Sequence, residues 1–138
     1  MKRFLALPLL LALAAASAPP VTVEAAVGDW SQLPQLSNRG YDHLNTKMMV
    51  KLHEIASQRQ CQLPGYLGKR LDLRISFAAQ FDPDGTLRRI LIPKLNCPEA
   101  EGVLGGALLE MMQGGDYRPT GKNPDGWYQG KLTFGFEG

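Results

Sequence analysis

The side chains of this sequence that could do chemistry are few, and their spacing argues against most of it. His43 and His53 are the only histidines and stand ten positions apart on one expected helix. They face different directions, so packed or solvated imidazoles are expected rather than a metal pair. Asp82 and Asp84 before Gly85 open like a calcium loop, but the other oxygen ligands and the closing Glu are missing, which leaves a turn. Ser17, Ser31, Ser37, Ser57 and Ser76 have no nucleophile-elbow context. Gly114-Gly115-Asp116 lacks the Lys and the spacing of a phosphate loop. Met48, Met49, Met111 and Met112 read as core and its margin. Trp127 and Tyr128 would either grip a partner or complete the core. No catalytic residue, metal or cofactor is expected. The chemistry that remains belongs to two thiols, Cys61 and Cys97.

Their fate depends on compartment. Lys2 and Arg3 precede an apolar run from Phe4 to Ala16, interrupted by Pro8. That run falls short of the roughly 20 residues a helix needs to cross a bilayer, so a cleaved export leader is expected over residues 1–25. Ala16-Ser17-Ala18, Ala14-Ala15-Ala16 and Val23-Glu24-Ala25 each offer small residues for the cut. The product would reside in the periplasm. The whole chain carries 15 basic and 13 acidic residues; taking away Lys2 and Arg3 leaves 13 against 13. Near neutrality, it has no electrostatic claim on nucleic acid or on an anionic membrane.

Beyond the leader ~115 residues remain, enough for one domain with one core. Residues 26–38 read as an extended lead-in and 39–138 as the domain. Leu44, Met48, Leu52 and Ile55 form one stripe of a helix from about Tyr41 to Gln60, ended by Pro64-Gly65. Leu71, Leu73, Ile75, Phe77, Ala79 and Phe81 alternate with Asp72, Arg74, Ser76, Ala78 and Gln80, a strand with one buried face from about Lys69 to Phe81. Asp82-Pro83-Asp84-Gly85 suits a hairpin turn into a second strand, with a bulge near Arg88-Arg89. Asn96-Cys97-Pro98-Glu99 reads as a helix start with Asn96 as N-cap and Glu99 completing a capping box. Ala100, Val103, Leu104, Ala107, Leu108 and Met111 then keep helical spacing up to Gly114-Gly115. Tyr128, Leu132, Phe134 and Phe136 mark a last strand.

The fold expected is α+β, in the order α-β-β-α-β. It has a three-stranded antiparallel/mixed sheet of order 2-1-3 and both helices on one face. The last strand is left as an open edge. Cross-turn partners should sum to roughly 167, which sets Cys97 near residue 70 and close to Cys61 at the end of the first helix. Two thiols brought together in an oxidising compartment should bond. Closing a loop of about 36 residues should stabilise by roughly 4 kcal/mol in the chain-entropy description.

In this order, residues from about Tyr41 to Phe136 resemble the C-terminal periplasmic domain of the TonB/TolA superfamily. The likeness rests on Tyr41 at the helix start, Leu71-Asp72-Leu73-Arg74-Ile75 leading to Asp82-Pro83-Asp84-Gly85-Thr86-Leu87, and Ala107-Leu108-Leu109. Tyr117-Arg118-Pro119 and a closing Leu132-Thr133-Phe134-Gly135-Phe136 complete it. The resemblance implies a partner-binding module of the energy-transducer family, with TonB-dependent transport as its setting. An extended segment of an outer-membrane receptor or another envelope protein would add to the edge strand at Trp127, Tyr128, Gln129, Lys131 and Thr133. The same edge could pair two copies as a homodimer. A structural or regulatory envelope protein without energy coupling is the alternative, and a small periplasmic enzyme the one with least support.

Overall fold

The computed structural model describes residues 20–38, 46–58, 61–121 and 123–137. Its elements run β1 (Thr22–Ala26), β2 (Ser37–Asn38), α1 (Thr46–Ser57), β3 (Tyr66–Leu67), β4 (Arg70–Phe81), β5 (Leu87–Pro93), α2 (Pro98–Gln113), β6 (Tyr117–Arg118) and β7 (Trp127–Glu137). The fold is α+β, with two helices on a mixed sheet. Residues 1–19 of the expected leader, His43 and Leu44 lie outside the described residues.

β4 is the axis. Its alternating apolar set is buried while Arg70, Asp72, Arg74 and Ser76 stay exposed. β7 pairs antiparallel along almost all of one side, from Arg70↔Glu137 to Gln80↔Trp127. β5 pairs antiparallel on the other side, from Ala78↔Leu91 to Phe81↔Leu87. The register shifts between Gln80 and Phe81, leaving Arg88 as the extra residue of a bulge, as the broken alternation predicts. At the turn, Asp84 Oδ1 accepts the Thr86 N–H at 2.9 Å and Gly85 takes φ 87°.

Among the described residues the expected three-stranded sheet is corrected to a five-stranded one, with β2 and β6 forming a separate two-stranded sheet. β3 folds back on the start of β4 through Tyr66↔Leu71 and Leu67↔Arg70. More consequentially, β1 adds parallel to β5, from Thr22↔Arg89 to Ala26↔Pro93. Val21, Val23 and Ala25 pack against the core, and Arg89 Nη2 meets Glu24 Oε1 at 2.7 Å on the exposed side. A strand therefore straddles the expected boundary between leader and lead-in. Its alternating Val-Thr-Val-Glu-Ala pattern is a strand signal that the neighbouring leader obscures.

α2 crosses from β5 to β7 above β1 and β5. Its N-cap is Cys97, not Asn96. Pro98 fixes the first helical φ and the Cys61–Cys97 disulfide holds the residue before it, which leaves Asn96 one position outside at φ 55°. Glu101, rather than Glu99, reaches back, with Oε2 accepting the Leu95 N–H at 3.0 Å. A Cβ on Gly105 would stand 2.7 Å from Val23 Cγ1, so a side chain there would force β1 or Val23 to shift. Gly102 and Gly106 face open space and have no such packing reason. α1 lies beside α2 with Leu52 and Ile55 wholly buried. The disulfide, with Cα atoms 5.6 Å apart, ties the segment after α1 to the start of α2.

Candidate functional site

The last strand is the expected docking edge, and its geometry follows from one residue. The Gln129 N–H donates to the Pro34 carbonyl at 2.9 Å, and its carbonyl accepts the Leu36 N–H at 2.8 Å. Both groups thus point away from β4, and Gln35 faces Gln129 as an isolated parallel bridge. Because β7 is in unbroken antiparallel register with β4, outward and inward pairs alternate strictly. Lys131, Thr133 and Gly135 therefore present their N–H and C=O groups to the outer edge, while Gly130 and Leu132 bond to β4. The Lys131 carbonyl accepts from the Tyr117 hydroxyl at 3.4 Å, on the outward side as this requires.

The edge is not open along its length. Residues 34–36 occupy it at Gln129, so the expectation of an unpaired last strand is corrected there. The path of the lead-in explains how. β1 lies at the β5 margin and residues 34–36 at the β7 margin, so residues 27–33 must cross the sheet between them. They cross on the face away from the helices, where Gln129 Nε2 donates to the Ser31 carbonyl at 3.0 Å and the Leu33 carbonyl at 2.6 Å. Ala78, the cross-strand neighbour of Gln129 on that face, is fully buried, unlike Arg74 and Ser76 before it. Leu36 then turns into the core at 8 % exposure, and Ser37–Asn38 pair with β6. We call residues 27–36 the strap.

The five edge residues separate accordingly. Tyr128 is a core residue, 2 % exposed, edge-on to Phe81 at 6.0 Å, and its hydroxyl accepts the Asn123 N–H at 3.2 Å. It is not available to grip a partner. Gln129 is buried at 7 %, contrary to its expected exposure. Trp127 is half-buried with the Arg89 guanidinium carbon 5.5 Å from its ring centroid. Lys131 and Thr133 are exposed, as an edge strand requires. The sequence reading passed over the residues that fill the site: Ser31, Leu33, Pro34, Gln35 and Leu36. Its available signal was Ala78, an apolar residue in a row of β4 otherwise occupied by Asp72, Arg74, Ser76 and Gln80.

Elsewhere the surface offers less. A groove of about 710 Å³ between α1 and α2 is lined by Met48, Val50, Val103, Gly102 and Gly106 with Lys and Glu at its margins. No convergent set of polar groups points into it. His53 Nε2 lies 2.9 Å from the Lys69 carbonyl, and its ring meets Tyr66 and Phe136 edge-on, a packed imidazole. Among the described residues no three His, Cys, Asp or Glu side chains group to hold a metal, and no helix is long and apolar enough to cross a membrane. The chain matches no protein-family model, no curated protein and no solved structure in the comparisons made.

Proposed function

We propose that the chain is a periplasmic protein-binding module that receives an extended segment of an envelope or outer-membrane protein by strand addition to β7. One observation carries the reading: an extended segment already sits on this edge, bonded in both directions to the backbone of Gln129. A strand edge gives affinity through main-chain bonds and selectivity through neighbouring side chains. Here those neighbours are Trp127, Lys131 and Thr133. The sequence resemblance to TonB/TolA-type C-terminal domains supports the same mode, as does the Cys61–Cys97 bond, which suits an oxidising compartment.

The test is capture from envelope extracts by tagged chain, compared with the Lys131→Pro and Thr133→Pro variants. Both residues direct their N–H outward, so both prolines remove a docking donor without touching the ladder to β4. The expected result is a captured envelope protein that either substitution releases. Capture unaffected by both in folded variants would move the interface off β7.

A further inference from the structure

We propose that residues 31–36 are a built-in competitor for the docking edge, and that the partner it fits is an extended Pro-X-Leu segment seated parallel to β7. The inference rests on the strand-addition reading and adds what the edge selects and how it is guarded. Gln129 is the buried polar residue of the described core, and its backbone and side-chain amide all engage the strap. Every one of those bonds ends on a main-chain atom: the carbonyls of Ser31, Leu33 and Pro34, and the N–H of Leu36. Main-chain recognition does not depend on the strap's own side chains, so another extended segment can satisfy the same four groups.

Selectivity enters at two positions. Pro34 supplies its carbonyl to Gln129 while having no N–H to leave unpaired, and its fixed φ favours the extended form before binding. Leu36 fills a core position beside Tyr117 and Gly130, where a polar residue would be buried without partners. Gln35, between them, is exposed, and its side chain makes no hydrogen bond among the described residues.

Release is local because the contact is local. The strap meets β7 through a single bridge rather than a ladder, and Ser31, Gln32, Pro34 and Gln35 are exposed. Upstream, β1 holds the chain by five paired positions. The strap can leave Gln129 while remaining tethered beside it, so any partner competes against a ligand at high effective concentration.

The experiment uses the full chain, isotopically labelled, and a synthetic peptide of residues 29–38 as probe. A Leu36→Ala chain, with its own anchor shortened, should bind the wild-type peptide at least tenfold more tightly than the wild-type chain does. Amide shifts should centre on Gln129 and Lys131. A peptide carrying Leu36→Ala should bind at least tenfold more weakly, and one carrying Gln35→Ala equally well. A folded Leu36→Ala chain with no peptide-dependent shift at Gln129 overturns the proposal. Hydrogen exchange on the unaltered chain decides the matter without any substitution. The Leu36 and Gln129 amides should exchange at least tenfold faster than those of Gly130 and Leu132, and equal rates overturn a separately releasing strap. A wild-type dimer that the peptide converts to monomer would make a second copy the occupant, overturning the partner assigned here. Envelope capture by a chain whose strap never releases would defeat this inference alone. Peptide binding without any envelope partner would defeat the assignment of an envelope partner alone.

Discussion

Gln129 shows how a residue chosen for one role can serve another. Polar and on the last strand, it reads as part of an exposed edge, yet its amide is turned inward to carbonyls of the same chain. Gln129→Ala removes two neutral, part-buried hydrogen bonds, each worth about 0.5–1.5 kcal/mol, to the carbonyls of exposed Ser31 and half-buried Leu33. The Leu36 amide should then exchange several-fold faster with little change in the midpoint of global unfolding. Gln129→Glu should loosen the strap further, since it turns an acceptor toward two carbonyls. Asp29 adds a pH dependence. Its Oδ1 accepts the Ser31 N–H at 3.0 Å, and that bond, with the Ser31 side chain, holds its carboxyl below the ordinary aspartate value. A lowered folded-state value means the turn at residues 29–31 is fully supported above the ordinary value. The support is lost as pH falls through the folded one. Protection of the Leu36 amide, its exchange rate taken relative to the intrinsic rate at each pH, should fall on acidification in wild type, and Asp29→Asn should flatten that profile.

At the scale of elements, what the sequence discloses depends on whether the local pattern decides the pairing. β4 is legible because its apolar period of two survives for twelve residues, and the Pro-Asp-Gly turn fixes its partner strand. Cys61 and Cys97 follow from that register, which places the start of α2 beside the segment after α1. The strap is not legible because nothing in Ser31-Gln32-Leu33-Pro34-Gln35-Leu36 has a period. Its place is set by tertiary contacts, a buried Leu36 worth about 1.5–3 kcal/mol and main-chain bonds. Two consequences are measurable. Leu132→Pro should unfold or strongly destabilise the protein, because its N–H bonds to β4, in contrast to the tolerated prolines at Lys131 and Thr133. The native protein should show no reactive thiol even after denaturation without reductant. Reduction should lower stability by an amount approaching roughly 4 kcal/mol, read from denaturant midpoints.

For the molecule as a whole, β1 bears on any maturation step. A leader cut after Ala25 would remove four of the five residues of β1 and the Glu24 partner of Arg89. It would also expose the margin of β5 and leave Gly105 with nothing to accommodate. Cuts after Ala16 or Ala18 keep the strand intact. On the periplasmic reading proposed above, intact mass of the mature product should therefore place the new N-terminus at Ser17 or Pro19. A product beginning at Ala26 would mean that β1 is not part of the working protein.

The parallel course of β1 along β5 has a mechanical corollary. Tension drawn through the chain from before Thr22 acts along the common axis of the two strands. It loads their bonds together in shear instead of parting them in turn, as peeling would. Until β1 yields, that load bypasses the strap beyond Ala26. A pull on the N-terminal side would leave the grip on Gln129 undisturbed, whereas a pull on a segment bound at β7 would reach β4 directly through the longest ladder in the sheet.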